Sequence, residues 1–199
     1  MNNDNKIVIS GTGRCGTTFL MILLTYLKLP TGFSPTNFHK GIAKNCNSGL
    51  ENINLETMKT DNCIIKHPEL IDNKLILEKF LLNNTIEYMV IPIRNFEKAA
   101  MSRANLGGVN GGDGSIAGGL WKANNYEEQL KFYYKKMTLY LECMVKYDIF
   151  TIFLDFDKMI SNQEYLYNKL IAIFEKYKIS LKVFKEAYIK ADNHQKKIV

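Results

Sequence analysis

Lys6-Ile-Val-Ile-Ser10-Gly11-Thr12-Gly13-Arg14-Cys15-Gly16-Thr17-Thr18 is the stretch on which the reading of the whole chain turns. Its short apolar run meets glycine at once, as a buried parallel strand does when it leaves its sheet. From Thr17 to Leu29 the residues are apolar nearly all round, which predicts a helix buried against that sheet and ended by Pro30 and Gly32. A strand, a Gly-x-x-x-x-Gly loop and a helix in that order aim backbone N–H groups and the positive end of a helix dipole at one point. That geometry suits a phosphate. Thr17 and Thr18 fall in the first helical turn, where a hydroxyl adds a hydrogen bond to a phosphate oxygen.

The alternation continues downstream. Cys63-Ile-Ile-Lys66 reads as a second strand stopped by Pro68, and Asp72 to Leu82 as a helix with Asp72 as its N-cap. Glu87 to Ile93 is a third strand, expected to finish at Pro92 because proline cannot donate to the ladder. A helix from Phe96 to Asn105 precedes a glycine-rich stretch, Leu106 to Leu120, with no period. A long helix from Asn125 to Val145, a strand from Phe150 to Leu154, and helices over about Asn162 to Lys176 and Leu181 to Ala191 complete the chain. Strands alternating with helices predict an α/β three-layer sandwich. Its central parallel sheet has four to five strands flanked by helices, in the manner of P-loop NTPases. The Asn-rich segment from Thr31 to Asp61 reads as loop with a short helix or two. No repeat or linker interrupts the 199 residues, so a single domain over 1–199 is expected.

The bulk properties narrow the setting. With 46% hydrophobic and 23% charged residues the chain is of ordinary globular composition, not a disordered one. A formal charge of +6 suits an anionic partner without selecting one. The four cysteines, Cys15, Cys46, Cys63 and Cys143, show no CxxC pair or metal-ligand spacing and read as thiols of a reducing compartment. The start lacks a signal peptide's basic and apolar regions, and no apolar run is long enough to span a bilayer. A cytoplasmic protein without a transmembrane segment is the expectation.

A nucleoside-triphosphate loop reads G-x-x-x-x-G-K-[ST]. Here Thr17 follows Gly16, and the cation lies inside the loop at Arg14. The pattern x-R-x-G-T-T resembles the 5′-phosphosulfate loop of sulfotransferases that use 3′-phosphoadenosine 5′-phosphosulfate (PAPS), with Cys15 where serine is usual. The resemblance implies that Gly11, Thr12, Gly13, Arg14, Cys15, Gly16, Thr17 and Thr18 hold the donor's 5′ end. It also implies a second anion site for the 3′-phosphate, formed in that family by an Arg at a strand end and a Ser eight residues on. Arg94 and Ser102 stand at that spacing. Physically, Arg94 leaves the carboxyl edge of the sheet, where ligands of open α/β folds bind, and its planar fork suits phosphate. A looser likeness at Phe153-Leu-Asp155-Phe-Asp157 follows the outline of the family's late strand, turn and helix.

Sulfuryl transfer needs cations at the leaving oxygen and a base at the acceptor. Arg14 takes the first role as an electrostatic clamp. Many cytosolic sulfotransferases end a strand in Lys-x-His, with Lys beside the sulfuryl group and His as base. Lys66 and His67 stand one residue closer than that, and neighbours on a strand face opposite sides. His67 is the first candidate base and Glu69 the alternative, since other branches of the family use a carboxylate. His39 reads as an exposed residue and His194 as structural. The loop over 107–119 suits a lid, with Trp121 and Lys122 placed to touch a nucleotide, and the aromatic stripe of the long helix reads as core. The expected activity is transfer of a sulfuryl group from PAPS, without a metal, to a hydroxyl or amine, a glycan or glycolipid among the options. Adenosine 3′,5′-bisphosphate is the product, and no nucleic acid is involved. Two rivals stand beside it: a P-loop nucleotide kinase or NTPase, with Asp155 or Asp157 as metal carboxylate, and a non-catalytic nucleotide-binding module.

Overall fold

The apolar run that begins at Lys6 is an inner strand of a four-stranded parallel sheet. β1 (Lys6–Ile9) pairs with β2 (Ile64–Lys66) on one side and β3 (Ile86–Ile93) on the other, and β4 (Thr151–Asp155) lies beyond β3. Every pairing is parallel, so each connection recrosses the sheet and all four carboxyl ends lie along one edge. A computed structural model describes residues 5–43, 46, 48–58, 60–106 and 116–196.

Period-two alternation sorts the strand side chains between two helical layers. Ile7, Ile9, Ile64, Val90, Ile152 and Leu154 join a core with α1 (Thr17–Tyr26), α5 (Phe156–Ser161), α6 (Gln163–Lys169), α7 (Ile171–Lys176) and α8 (Leu181–Lys196). Val8, Ile65, Met89 and Ile91 face the other way. They pack with a 3-10 turn at Pro68–Ile71, with α2 (Lys74–Asn83) and with α4 (Tyr126–Lys146). α3 (Phe96–Leu106) sets Ala99 and Ala100 against Tyr133 of α4. The fold is thus the three-layer α/β sandwich expected. α1 is central to it, and nine of its residues, Thr17 to Thr25, are buried.

α8 runs on to Lys196 rather than stopping at Ala191, and four further departures from the sequence reading each have a local reason. α1 ends at Tyr26 rather than Leu29 because Lys28 turns left-handed (φ 57°), and Lys28 N–H and Leu29 N–H close onto Thr25 O and Leu24 O. Asp72 does not cap α2. Asn73 does, its side chain accepting from Leu75 N–H at 2.9 Å, while Asp72 is drawn into a buried ion pair described below. β3 runs through Pro92 to Ile93. Val90 O accepts from Ser10 N–H on the β1 side, so Pro92, two residues on, turns its donorless nitrogen to that side after β1 has ended. The ladder to β4 loses nothing. The helix read over 162–176 divides at Leu170 into α6 and α7, and Asp155 caps an additional short helix, α5, by accepting from Lys158 N–H. No helix among the described residues is long and apolar enough to cross a membrane.

Candidate functional site

β1 delivers the chain to the carboxyl edge of the sheet, and the backbone there turns left-handed three times, at Gly13 (φ 94°), Arg14 (φ 54°) and Gly16 (φ 87°). At the two glycines a side chain would be strained by the positive φ and would have to displace a neighbour. A Cβ on Gly13 would stand 2.2 Å from an Arg103 guanidinium nitrogen, and one on Gly16 2.5 Å from the end of Met159. Arg14 adopts the same conformation without glycine's freedom, at a cost of about 1–2 kcal/mol. Its Nε donates to Ser102 Oγ at 3.2 Å, and Arg94 donates to its carbonyl oxygen at 3.2 Å. The loop and the Arg94–Ser102 motif, 80 and 88 residues away in the chain, therefore meet. α1 begins at Thr17 with no side-chain cap and no acidic residue in its first turn, which leaves its leading N–H groups to an anion.

The arginines mark the place. The chain has 26 Lys and Arg residues, only three of them Arg, and all three, Arg14, Arg94 and Arg103, converge here. Arg103 lies against Gly13 and donates to the buried Tyr133 hydroxyl at 2.7 Å and to Gly119 O. The guanidinium of Arg94 sits 4.9 Å from the Phe156 ring centre. Among the described residues no carboxylate is ion-paired with any of the three. Burial first, then the Arg103 and Arg94 charges, pull the Arg14 pKa below its ordinary value against an opposing pull from Cys46. A concentration of guanidinium forks with no carboxylate paired to them fits an anion with several oxygens.

Arg14 borders two cavities. One, of about 350 Å³, is lined by Gly13, Gly16, Thr17 and Thr18 and also by Lys66, Glu69, Glu51 and Arg103. The other, about 710 Å³ and more open, holds Arg94 and Ser102. Of the predicted loop residues, Gly11, Thr12 and Cys15 line neither. Cys15 is fully buried, its thiol pKa raised by burial, and Gly11 backs onto it and Pro92.

At the end of β2 the three candidates separate. Lys66 is buried on the α1 face, its Nζ donating to Gly49 O at 2.6 Å and to Glu51 Oε1 at 2.5 Å, with Thr18 Oγ1 at 3.4 Å. His67 turns away and lines neither cavity. Glu69 N–H donates to its Nδ1 at 3.2 Å, and burial lowers its pKa to about 4. Glu69 faces the smaller cavity with its pKa raised by burial and by the nearby Asp72 charge. From the opposite layer, Lys136 reaches the same cavity, ion-paired with Asp72, which also accepts from Trp121 Nε1.

Three residues at the cavity escape the sequence reading. Arg103 carries a legible signal, the rarity of arginine in a lysine-rich chain. Glu51 and Lys136 carry none, since one lies in an unpatterned segment and the other on a helix that reads as core. Lys122 is ion-paired with Asp72 at 3.5 Å. His39 is exposed and His194 packs on Phe38. Residues 107–115 of the lid candidate lie outside the described residues. Its end, Ile116 to Gly119, borders the smaller cavity, where Ala117 O accepts from Cys46 Sγ at 2.9 Å.

No family model, no curated protein and no solved structure matches the chain. The fold and the strand–loop–helix at its carboxyl edge are those of the broad Rossmann-like and P-loop-type α/β class. The architecture is of a generic nucleotide-binding kind.

Proposed function

We propose that the chain is a sulfotransferase that moves a sulfuryl group from PAPS to a hydroxyl or amine. The observation that carries the reading is the convergence of all three arginines on two adjoining cavities joined at Arg14. A donor with anionic groups at both its 5′ and 3′ positions needs two such sites, whereas ATP needs one. In this reading Gly13, Gly16, Thr17 and Thr18 hold the 5′-phosphosulfate in the smaller cavity. Gly11, Thr12 and Cys15 shape the loop from behind, and Arg94 with Ser102 holds the 3′-phosphate in the larger one.

The acceptor's oxygen or nitrogen attacks sulfur in line and forms the new bond to it. The bond between sulfur and the bridging oxygen breaks, and adenosine 3′,5′-bisphosphate departs with the charge on its 5′-phosphate, beside Arg14. No metal takes part. Lys66 lies beside Thr18 on the sulfuryl side. The acceptor's proton passes to Glu69, whose raised pKa makes it a stronger base than an ordinary carboxylate. His67, with a pKa near 4, is a weak base turned out of the cavity and serves to position Glu69 through the contact at Nδ1.

Calorimetric titration with adenosine 3′,5′-bisphosphate, with ATP and ADP as controls, tests the reading. Tight binding that needs no magnesium and is lost in Arg94→Ala is the expected result. Preference for ATP with magnesium, or no binding, overturns it.

A further inference from the structure

We propose that Glu51 occupies, in the free protein, the subsite on Lys66 that an oxygen of the transferred sulfuryl group takes, so that the donor binds by exchanging one anion for another. The inference rests on the sulfuryl-transfer reading and deepens it: Lys66 becomes a third anion subsite, and Glu51 its built-in occupant.

The two partners are unequally held. The Lys66 side chain is 2% exposed and anchored on Gly49 O at 2.6 Å, beside the Thr18 hydroxyl of the first turn of α1. Its Nζ cannot move far without leaving a buried ammonium unsolvated. The Glu51 side chain is 36% exposed, borders the cavity, and has Lys66 as its ion-pair partner. The carboxylate can therefore swing into solvent at little cost, provided another anion takes its place on the ammonium. An uncompensated departure would strand the buried charge, so opening and anion entry are linked.

Position selects the replacement. Arg14, Gly16, Thr17 and Thr18 border the same cavity as Glu51. An anion seated on the amides at the start of α1 would direct its outermost oxygens toward Thr18 and Lys66. In PAPS those oxygens belong to the sulfuryl group. In adenosine 3′,5′-bisphosphate that group is missing, so Glu51 can stay where it is. The arginines, with no carboxylate to displace, bind both nucleotides alike. Exchange at Lys66 thus distinguishes charged donor from spent product.

The test is calorimetric titration of the wild-type chain and Glu51→Gln with PAPS and with adenosine 3′,5′-bisphosphate. Removing the competing charge is expected to raise the preference for PAPS over the bisphosphate by about tenfold, the modest end of what one charge a few ångströms away supplies. The gain should vanish in the double variant Glu51→Gln with Lys66→Met. An unchanged or reduced preference in folded Glu51→Gln overturns the exchange, because a purely structural ion pair would affect both nucleotides equally. If Glu51→Gln does not fold, Glu51→Asp, which retracts the carboxylate by one methylene, should show a smaller gain in the same direction. No gain there is equally fatal. Failure of the wild-type chain to bind either nucleotide overturns the sulfuryl-transfer reading, and the exchange falls with it.

Discussion

Lys66 and Lys136 reach one cavity from opposite faces of the sheet, and each meets a carboxylate there. The Lys136–Asp72 pair is sealed, with both side chains 3% exposed. Lys136 also donates to Pro68 O at 3.3 Å, and Trp121 Nε1 donates to Asp72. These contacts tie α4 to the turn after β2 and to the chain following the glycine-rich stretch. The Lys66–Glu51 pair is sealed only on the lysine side. A charge pair closed from both sides acts as framework, while one with an exposed carboxylate leaves its cation available to a ligand. Substitution at each pair separates the two roles.

Asp72→Asn should have the largest effect. It leaves the Lys136 ammonium buried without a counter-charge, and breaking such a pair costs about 3–5 kcal/mol. Urea denaturation at neutral pH measures this directly. A loss below about 1 kcal/mol would mean that the sealed pair is not framework, and the contrast would collapse.

His67 lies between the two pairs and reads both. Burial is the main reason its pKa falls from 6.5 to about 4, with smaller opposing pulls from Glu51 and Lys66 and from Asp72 and Lys136. The unfolded chain takes up the imidazole proton at higher pH than the folded one. The stability contributed by the neutral imidazole is therefore complete above the ordinary value of 6.5 and is lost as pH falls toward 4. The loss amounts to a few kcal/mol over that window. Thermal melting at stepped pH should show it, and His67→Gln should remove most of the slope. A slope that persists in His67→Gln assigns the proton uptake to another group.

How much of this was legible follows from how each feature is encoded. The phosphate loop is local: glycine spacing, a cation and paired threonines within a few residues specify the backbone, and the loop's left-handed turns fall on Gly13, Arg14 and Gly16. The sheet was legible because its β-strands are apolar and bounded by breakers. The meeting of Arg94 and Ser102 with the loop was readable only through the family resemblance, since the contacts span 80 and 88 residues. Glu51 was not readable. It is placed by an isolated antiparallel bridge between Ile42 and Gly49, and by Asn52, whose side chain donates to Thr31 O and Ile64 O and accepts from Lys66 N–H. The Asn52 bonds are non-local, and none of these contacts leaves a periodic trace. Asp72 misled for a related reason. An Asp before an apolar run is a good cap by propensity, but a buried lysine from a helix 64 residues on is a stronger partner, and Asn73 is at hand to cap instead.

Glu51→Gln should cost the least, about 1–2 kcal/mol and clearly less than Asp72→Asn. Both lysines keep a backbone acceptor and could bond an amide oxygen, but only the Glu51 side of its pair is open to water, which can take over part of the lost interaction. What is lost is one charge, a third of it already in water. Burial already lowers the Lys66 pKa, and Glu51 opposes that pull. Without the carboxylate the folded protein gives up the lysine proton more readily than the unfolded chain, so stability should rise with pH. The deficit against wild type should then narrow as pH rises toward the ordinary lysine range, readable by denaturation at neutral and at alkaline pH. A cost equal to that of Asp72→Asn, or one that does not change with pH, would place both lysines in the framework and remove the distinction between them.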